Sequence, residues 1–349
     1  MNDTAKPLIT TIIPTYRRPK LLRRSIRSVL SQTYPHFQVC VYDNASGDET
    51  ASIVAELSRE DPRVKYHCHA ENIGAIRNFN YGMKHVNTPF FSFLSDDDIL
   101  LPEFFENALE GFVKYPDALF SAGSVISMTE KGKVLLSQLS LWPRDGYYSP
   151  PEGLFNMMGM KHPTWTGVLF RKEIAQKIGA LDQNVGILAD MDFELRIAAV
   201  FPFVISRKPC AIFVHHPSSS CSLMDLHSFW PGWLKIIRNL KEDQRIPLEV
   251  RTYVEQKLTD LLKRNLFGTG FIIKKNFKDA YKAADILRNH YNQKTKAAII
   301  YGTAKLCEYI PLVYYLFCYR NRIRKLFKKI KVRDLQRQFG DYARFLDFN

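Results

Sequence analysis

Short apolar runs rich in β-branched and aromatic residues recur through the first hundred residues, at 8–14, 37–42, 64–67 and 90–95. Their length and lack of alternation predict strands buried on both faces of a parallel sheet. Between them the apolar spacing changes. Leu21, Leu22, Ile26, Val29 and Leu30 recur every three or four residues behind Pro19, which predicts a helix with proline in its first turn. Residues 43–50, Asp-Asn-Ala-Ser-Gly-Asp-Glu-Thr, read as a turn and a helix start. Asn72-Ile73-Gly74 opens a further helix that runs to about His85. Strands alternating with helices in this way predict an α/β fold with a Rossmann-type, mostly parallel sheet flanked by helices.

Beyond Pro102 the pattern loosens. Residues 119–127 and 165–171 read as strands, 147–151 as a loop leading to a helix near Pro151, and 172–178 and 188–200 as helices. Two short strands follow at 203–206 and 211–214, and after Trp230 the chain reads as almost wholly helical. The expected organisation is an α/β domain over 1–230 and a helical carboxy-terminal region over 231–349.

Charge sharpens that boundary. The chain has 349 residues and a net charge of +14, with 46% hydrophobic and 24% charged residues, ordinary values for a folded protein. Residues 1–230 hold 23 Lys and Arg against 24 Asp and Glu, and residues 231–349 hold 26 against 11. The basic character belongs to the last third, where Arg320, Arg322, Arg324, Lys325, Lys328, Lys329, Lys331 and Arg333 form a run without acids. An apolar, aromatic stretch, Ile310-Pro311-Leu312-Val313-Tyr314-Tyr315-Leu316-Phe317, precedes it. That combination suits a helix on an anionic membrane surface; a solvated helical face is the plainer alternative. No nucleic-acid recognition pattern accompanies the charge, so nucleic acid is not an expected partner. The six cysteines are scattered, without a C-x-x-C pair, and read as buried free thiols. With no signal-peptide core at the amino terminus and no window of about 18–20 uncharged apolar residues, the expected location is cytoplasmic, peripheral on the inner membrane.

The chemistry gathers at strand ends. The run at 90–95 ends in Asp96-Asp97-Asp98, and ligands of open α/β sheets collect at such carboxyl ends. Adjacent carboxylates repel unless a cation joins them, which suggests a divalent metal at Asp96 and Asp98 bridging to a diphosphate. The alternative for Asp98 is the N-cap of a helix starting near Pro102. Pro14-Thr15-Tyr16 and Asp43 end the first two strands and frame a nucleotide crevice.

Thr11-Ile12-Ile13-Pro14-Thr15-Tyr16, Asp43 through Thr50, Asn72-Ile73-Gly74 and Ser95-Asp96-Asp97-Asp98 occur in order. Over roughly residues 8–220 the chain resembles the family 2 glycosyltransferases, inverting enzymes of GT-A fold. The resemblance implies nucleotide contacts from Pro14, Thr15, Tyr16, Asp43, Asn72, Arg77, Asn78, Asp96 and Asp97. It implies Mn²⁺ or Mg²⁺ on Asp98, with His216 of His215-His216-Pro217 completing the site. Ala189-Asp190-Met191-Asp192-Phe193-Glu194-Leu195-Arg196 resembles the stretch that carries the catalytic base. Aligned by Arg196, Asp190 is the base and Asp192 an acceptor-binding acid, although Ala189 stands where the family places Glu. Trp165 is expected at the acceptor side, stacked on a sugar ring or packed in the core.

The implied activity is transfer of a sugar from a nucleoside-diphosphate donor, UDP-sugar first, to a hydroxyl of a glycan or lipid-linked acceptor in cell-surface polysaccharide synthesis. A nucleotidyltransferase would need a Gly-rich, Lys-bearing loop after the first strand, and Thr15-Tyr16-Arg17-Arg18-Pro19 has no Gly. A non-catalytic membrane-bound scaffold of the same fold is the remaining alternative.

Overall fold

The computed structural model describes residues 8–137, 142–159, 161–216, 225–268 and 270–347, with side chains at all of these except 227–228 and 322–332. It divides into two compact units, residues 1–222 with 335–349, and residues 223–334.

The first unit is built on one sheet. β1 (Ile9–Thr15), β2 (Phe37–Asp43), β3 (Val64–Cys68) and β4 (Phe90–Phe93) run parallel, in spatial order β3-β2-β1-β4. The helices α1 (Pro19–Leu30), α2 (Thr50–Glu60) and α3 (Ala75–Lys84) connect them. Every residue of β1 is buried, as expected of a strand covered on both faces. Successive connections lead from β1 outward to β2 and β3, whereas β4 lies on the other side of β1. The carboxyl ends of β1 and β4 therefore diverge at a topological switch point, where such sheets open a crevice.

Beyond β4 the sheet also takes in antiparallel strands. β9 (Val168–Arg171) runs antiparallel between β4 and β6 (Phe120–Thr129), and β10 (Phe203–His215) runs parallel to β6. β5 (Ile99–Leu100), β7 (Val134–Ser137) and β8 (Gly146–Tyr148) add short antiparallel pairings. The helices α4 (Phe104–Lys114), α5 (Glu152–Met157), α6 (Ile174–Ile178) and α7 (Ala189–Val200) lie between these strands in sequence. The two short strands read at 203–206 and 211–214 are one strand, β10, whose register slips on either side of Pro209. Residues 165–167 form a 3-10 turn before β9 rather than part of a strand. The chain after the acids enters β5, and α4 begins only at Phe104, so Asp98 caps no helix.

Residues 335–349 belong to this unit. Phe339 is buried with Ile99, Met128, Val134, Ile212 and Val214, and Leu335, Tyr342 and Phe345 pack against that cluster. Gln336 fixes the contact: Oε1 accepts from the Val134 amide at 2.8 Å, and Nε2 donates to the Gly132 carbonyl at 3.2 Å.

The second unit is helical among its described residues: Leu226–Glu242, Leu248–Phe267, Gly270–Ile273, Phe277–Asn289, Lys294–Tyr309, and Pro311–Phe339 up to residue 334. In Leu248–Phe267 the buried stripe is Val250, Val254, Leu258, Leu262 and Leu266, one residue per turn. Trp233 is buried and donates its indole N–H to the Leu258 carbonyl at 3.0 Å. Among the described residues no helix is long and apolar enough to cross a membrane.

Candidate active site

A cleft of about 400 Å³ opens at the switch point. Pro14, Thr15, Tyr16, Asn44, Asn78, Asp96, Asp97, Trp165 and Asp190 are among its lining residues. The first strand ends, the acid loop and the start of α7 thus meet at one place, although they are far apart in sequence.

The acid loop is held from β1 and α1. Thr15 Oγ1 donates to Asp96 Oδ2 at 2.8 Å. Arg18 Nη1 bridges Asp96 Oδ1 at 3.1 Å and Asp97 Oδ2 at 2.9 Å. Arg24 Nη2 donates to the Asp97 carbonyl at 2.7 Å. Burial, with the charge of Asp97, pushes the Asp96 carboxyl up to about 6. Asp97 also meets His216, whose Nε2 lies 2.8 Å from Asp97 Oδ2. Carboxylate and imidazole, expected from opposite ends of the domain, are therefore adjacent.

Asp98, the expected metal ligand, sits deeper than Asp96 and Asp97. It is 1% exposed and does not line the cleft. Its Oδ2 accepts from Thr166 Oγ1 at 2.6 Å and its Oδ1 from the Val214 amide at 3.0 Å. Burial and the Asp97 charge hold its carboxyl well above the usual carboxylate range. Asp98 ties the acid loop to the turn before β9 and to β10, and it is Asp97 that lines the cleft.

Asp43 and Asn72 are likewise one step removed. Asp43 is buried; Oδ1 accepts from the Ser46 amide at 2.9 Å and from Ser46 Oγ at 2.5 Å, and Oδ2 from Tyr66 OH at 2.7 Å. The neighbouring Asn44 reaches the cleft instead. Asn44 Nδ2 donates to Asn72 Oδ1 at 2.9 Å, and Asn44 Oδ1 accepts from the Ile73 amide at 2.8 Å. Asn72 Oδ1 also accepts from the Gly74 amide, so the pair anchors the start of α3. Asn78 lines the cleft and is oriented by the Tyr42 carbonyl at 2.8 Å. Arg77 is exposed, donates to Gln183 at 2.9 Å and is not a lining residue.

Across the cleft's lining, Asp190 stands at the start of α7 with a quarter of its side chain exposed. His162 Nε2 lies 3.9 Å from Asp190 Oδ2, and burial lowers the pKa of the His162 imidazole while the Asp190 charge opposes the shift. Asp192, expected to bind the acceptor, does not line the cleft. It is fully buried, pairs with Arg196 Nε at 2.7 Å, and Arg196 in turn donates to the Ile178 and Ala180 carbonyls. The two acids lie two residues apart on a helix, about 200° round the axis, so only one can face the cleft. Trp165 lines the cleft while packing on Phe79 and Phe93, at centroid distances of 4.3 and 5.4 Å.

Sequence reasoning missed Arg18, Asn44 and Phe79. Arg18 lies in the loop after β1, where an arginine facing an acid run was the available signal.

Among the described residues no three His, Cys, Asp or Glu side chains form a metal cage. Asp97 and His216 nonetheless suit Mg²⁺ or Mn²⁺, which take few protein ligands and complete their shells with substrate phosphates and water. That Arg18 already bridges Asp96 and Asp97 shows that this position favours a cation.

The family model of glycosyl transferase family 2 matches residues 10–179. An uncharacterized glycosyltransferase of Rickettsia typhi is 26% identical over 273 residues, covering 74% of this chain and 80% of that protein. A GalNAc(5)-diNAcBac-PP-undecaprenol beta-1,3-glucosyltransferase of Campylobacter jejuni is 35% identical over 96 residues, 27% of this chain and 31% of that protein. An uncharacterized glycosyltransferase of Rickettsia conorii is 33% identical over 137 residues; the match spans 39% of this chain and 22% of that protein. The chain thus spans less than a third of the length of these last two relatives. Among solved structures, S. aureus TarS in complex with UDP-GlcNAc has a TM-score of 0.64 at 17% identity, covering 85% of this chain and 90% of that one. A mannosyltransferase of Pyrobaculum calidifontis with GDP-Man and Mn2+ has a TM-score of 0.57 at 16% identity, covering 99% and 86%. These likenesses show the fold, a mixed α/β sheet of GT-A type.

Proposed function

We propose that the chain is an inverting glycosyltransferase using a nucleoside-diphosphate sugar, UDP-sugar first, in line with the match of its residues 10–179 to the model of glycosyl transferase family 2. The observation that carries this is the single cleft shared by Asp96, Asp97 and Asp190. Pro14, Tyr16 and Asn44 form the base side, with Asp43 holding the turn that presents Asn44. Arg18 faces the diphosphate. A divalent cation held by Asp97 and His216 would supply charge that offsets the leaving nucleoside diphosphate.

Asp190 is the general base. An acceptor hydroxyl oxygen attacks the anomeric carbon, its proton passes to the Asp190 carboxylate, and the bond to the donor phosphate breaks with its electron pair on the diphosphate. One displacement inverts the centre. Trp165 offers the sugar an apolar face. The acceptor is a hydroxyl of a glycan or of a lipid-linked carrier, in keeping with the PP-undecaprenol compound in the name of the C. jejuni relative. The setting is cell-surface polysaccharide synthesis, at the cytoplasmic face of an anionic membrane.

Nucleotide release is measured with Mn²⁺ or Mg²⁺ across UDP-, dTDP- and GDP-sugars. Asp190→Asn is expected to lower turnover about 10²–10⁴-fold while UDP affinity stays unchanged. Asp97→Ala is expected to abolish metal-dependent UDP binding. Wild-type turnover in both variants rejects the assignment.

A further inference from the structure

Of the nineteen large apolar side chains exposed among the described residues, nine lie between residues 299 and 319. Monomeric proteins rarely gather exposed apolar surface in this way without a partner for it. Within the helix Pro311–Phe339 the exposed members are Leu312, Tyr315, Leu316 and Tyr319, each 60–67% exposed. Their spacing of i, i+3, i+4 and i+7 is that of an apolar helix face, which ordinarily meets a core. Among the described residues, no part of the second unit covers it. Beside it runs a groove of about 630 Å³ lined by Ile273, Tyr314, Tyr315, Leu316, Cys318 and Tyr319. Its wall is pinned where Tyr314 OH donates to the Ile273 carbonyl at 3.1 Å, with Lys275 Nζ 4.9 Å above the Tyr314 ring.

The same helix continues into residues 320–333, which carry eight Lys and Arg and no acid. Arg320 is exposed; the side chains of Arg322 to Lys331 lie outside the described residues. The partner must therefore offer hydrocarbon and dense negative charge side by side. A nucleic acid lacks the hydrocarbon. An anionic bilayer has both, and tyrosines favour the depth where the two meet.

We propose that the face Leu312–Tyr315–Leu316–Tyr319 and its groove form a lipid-docking site, which receives acyl chains of an anionic leaflet to which the basic run that follows in sequence is attracted. It specifies how the transferase of the preceding section reaches a membrane, and rests on that reading for its purpose only. Purified full-length chain is sedimented with phosphatidylcholine vesicles, with and without phosphatidylglycerol. The wild type is expected to pellet with the phosphatidylglycerol vesicles and to be released by salt. Leu316→Glu with Tyr319→Glu, both exposed positions, is expected to lower the partition coefficient at least tenfold. The UDP-induced thermal shift should be unchanged, which checks folding and keeps donor binding as a separate result. Equal pelleting of variant and wild type overturns the proposal. So does a wild-type dimer that the variant converts to monomer without a change in vesicle binding, because a second copy then covers the face.

Discussion

Asp97 and Asp98 are neighbours in sequence with different surroundings. What separates them is β5, which follows the acids at once and pairs with β10. That pairing sets the Val214 amide against Asp98 and leaves Asp97 to His216. The motif shows that acids belong here; which one faces the cleft depends on a strand more than a hundred residues later. Glu194 presents another problem that sequence hides. It follows Asp190 by one helical turn, is 0% exposed, and neither carboxylate oxygen has a hydrogen-bond partner. Burial first, and the Asp190 charge second, raise its pKa well above the usual range. An acid that keeps its proton on folding stabilises the fold at low pH. That contribution fades as pH rises from about 4.3, the unfolded value, through the folded value. Glu194→Gln has no proton to lose. Its melting temperature relative to wild type should therefore climb as pH is raised from 4.5 to 8. A difference that stays flat across that range would show that Glu194 is not protonated in the fold.

α3 carries Ala75, Ile76, Asn78 and Phe79 to the cleft, so its distance from the sheet matters. Gly82 sets that distance. A Cβ there would stand 2.5 Å from Ile12 Cγ2 on β1 and 3.0 Å from Tyr42 Cε2 on β2. Gly82→Val is expected to cost about 1–3 kcal/mol by overpacking and to weaken UDP binding by displacing Asn78. Calorimetry with and without UDP checks both, and a wild-type profile would mean that α3 does not position the cleft. Elements such as α1 and β1 to β4 are legible in sequence because their apolar periods are clean. β10 is not, since Arg207-Lys208-Pro209 interrupts its apolar pattern. The structure keeps it as one strand by bulging at Pro209, where proline has no N–H to pair. The 3-10 turn at 165–167 is hidden for another reason: Trp165 and Thr166 are residue types that favour strands, and they run straight into β9.

At the scale of the molecule, composition assigns the last third to one basic helical region, yet residues 335–349 pack with the amino-terminal unit. Charge counting hides this because Leu335, Phe339, Tyr342, Phe345 and Leu346 are spread among polar residues, and their apolar partners come from the distant sheet. The cluster they complete includes Ile99, beside the acid loop, and Val214, whose amide holds Asp98. The far end of the chain is thus one wall of the scaffold that orients the acids. Phe339 is 4% exposed in that wall, so Phe339→Ala should cost about 3–5 kcal/mol. Removal of residues 335–349 should cost more, because it also uncovers Met128 and Val134 and frees the Val134 amide. Denaturant unfolding followed by UDP binding reads the effect on this unit. A chain ending at residue 334 that unfolds at the wild-type midpoint would show that the sheet and its acid loop stand without their carboxy-terminal wall.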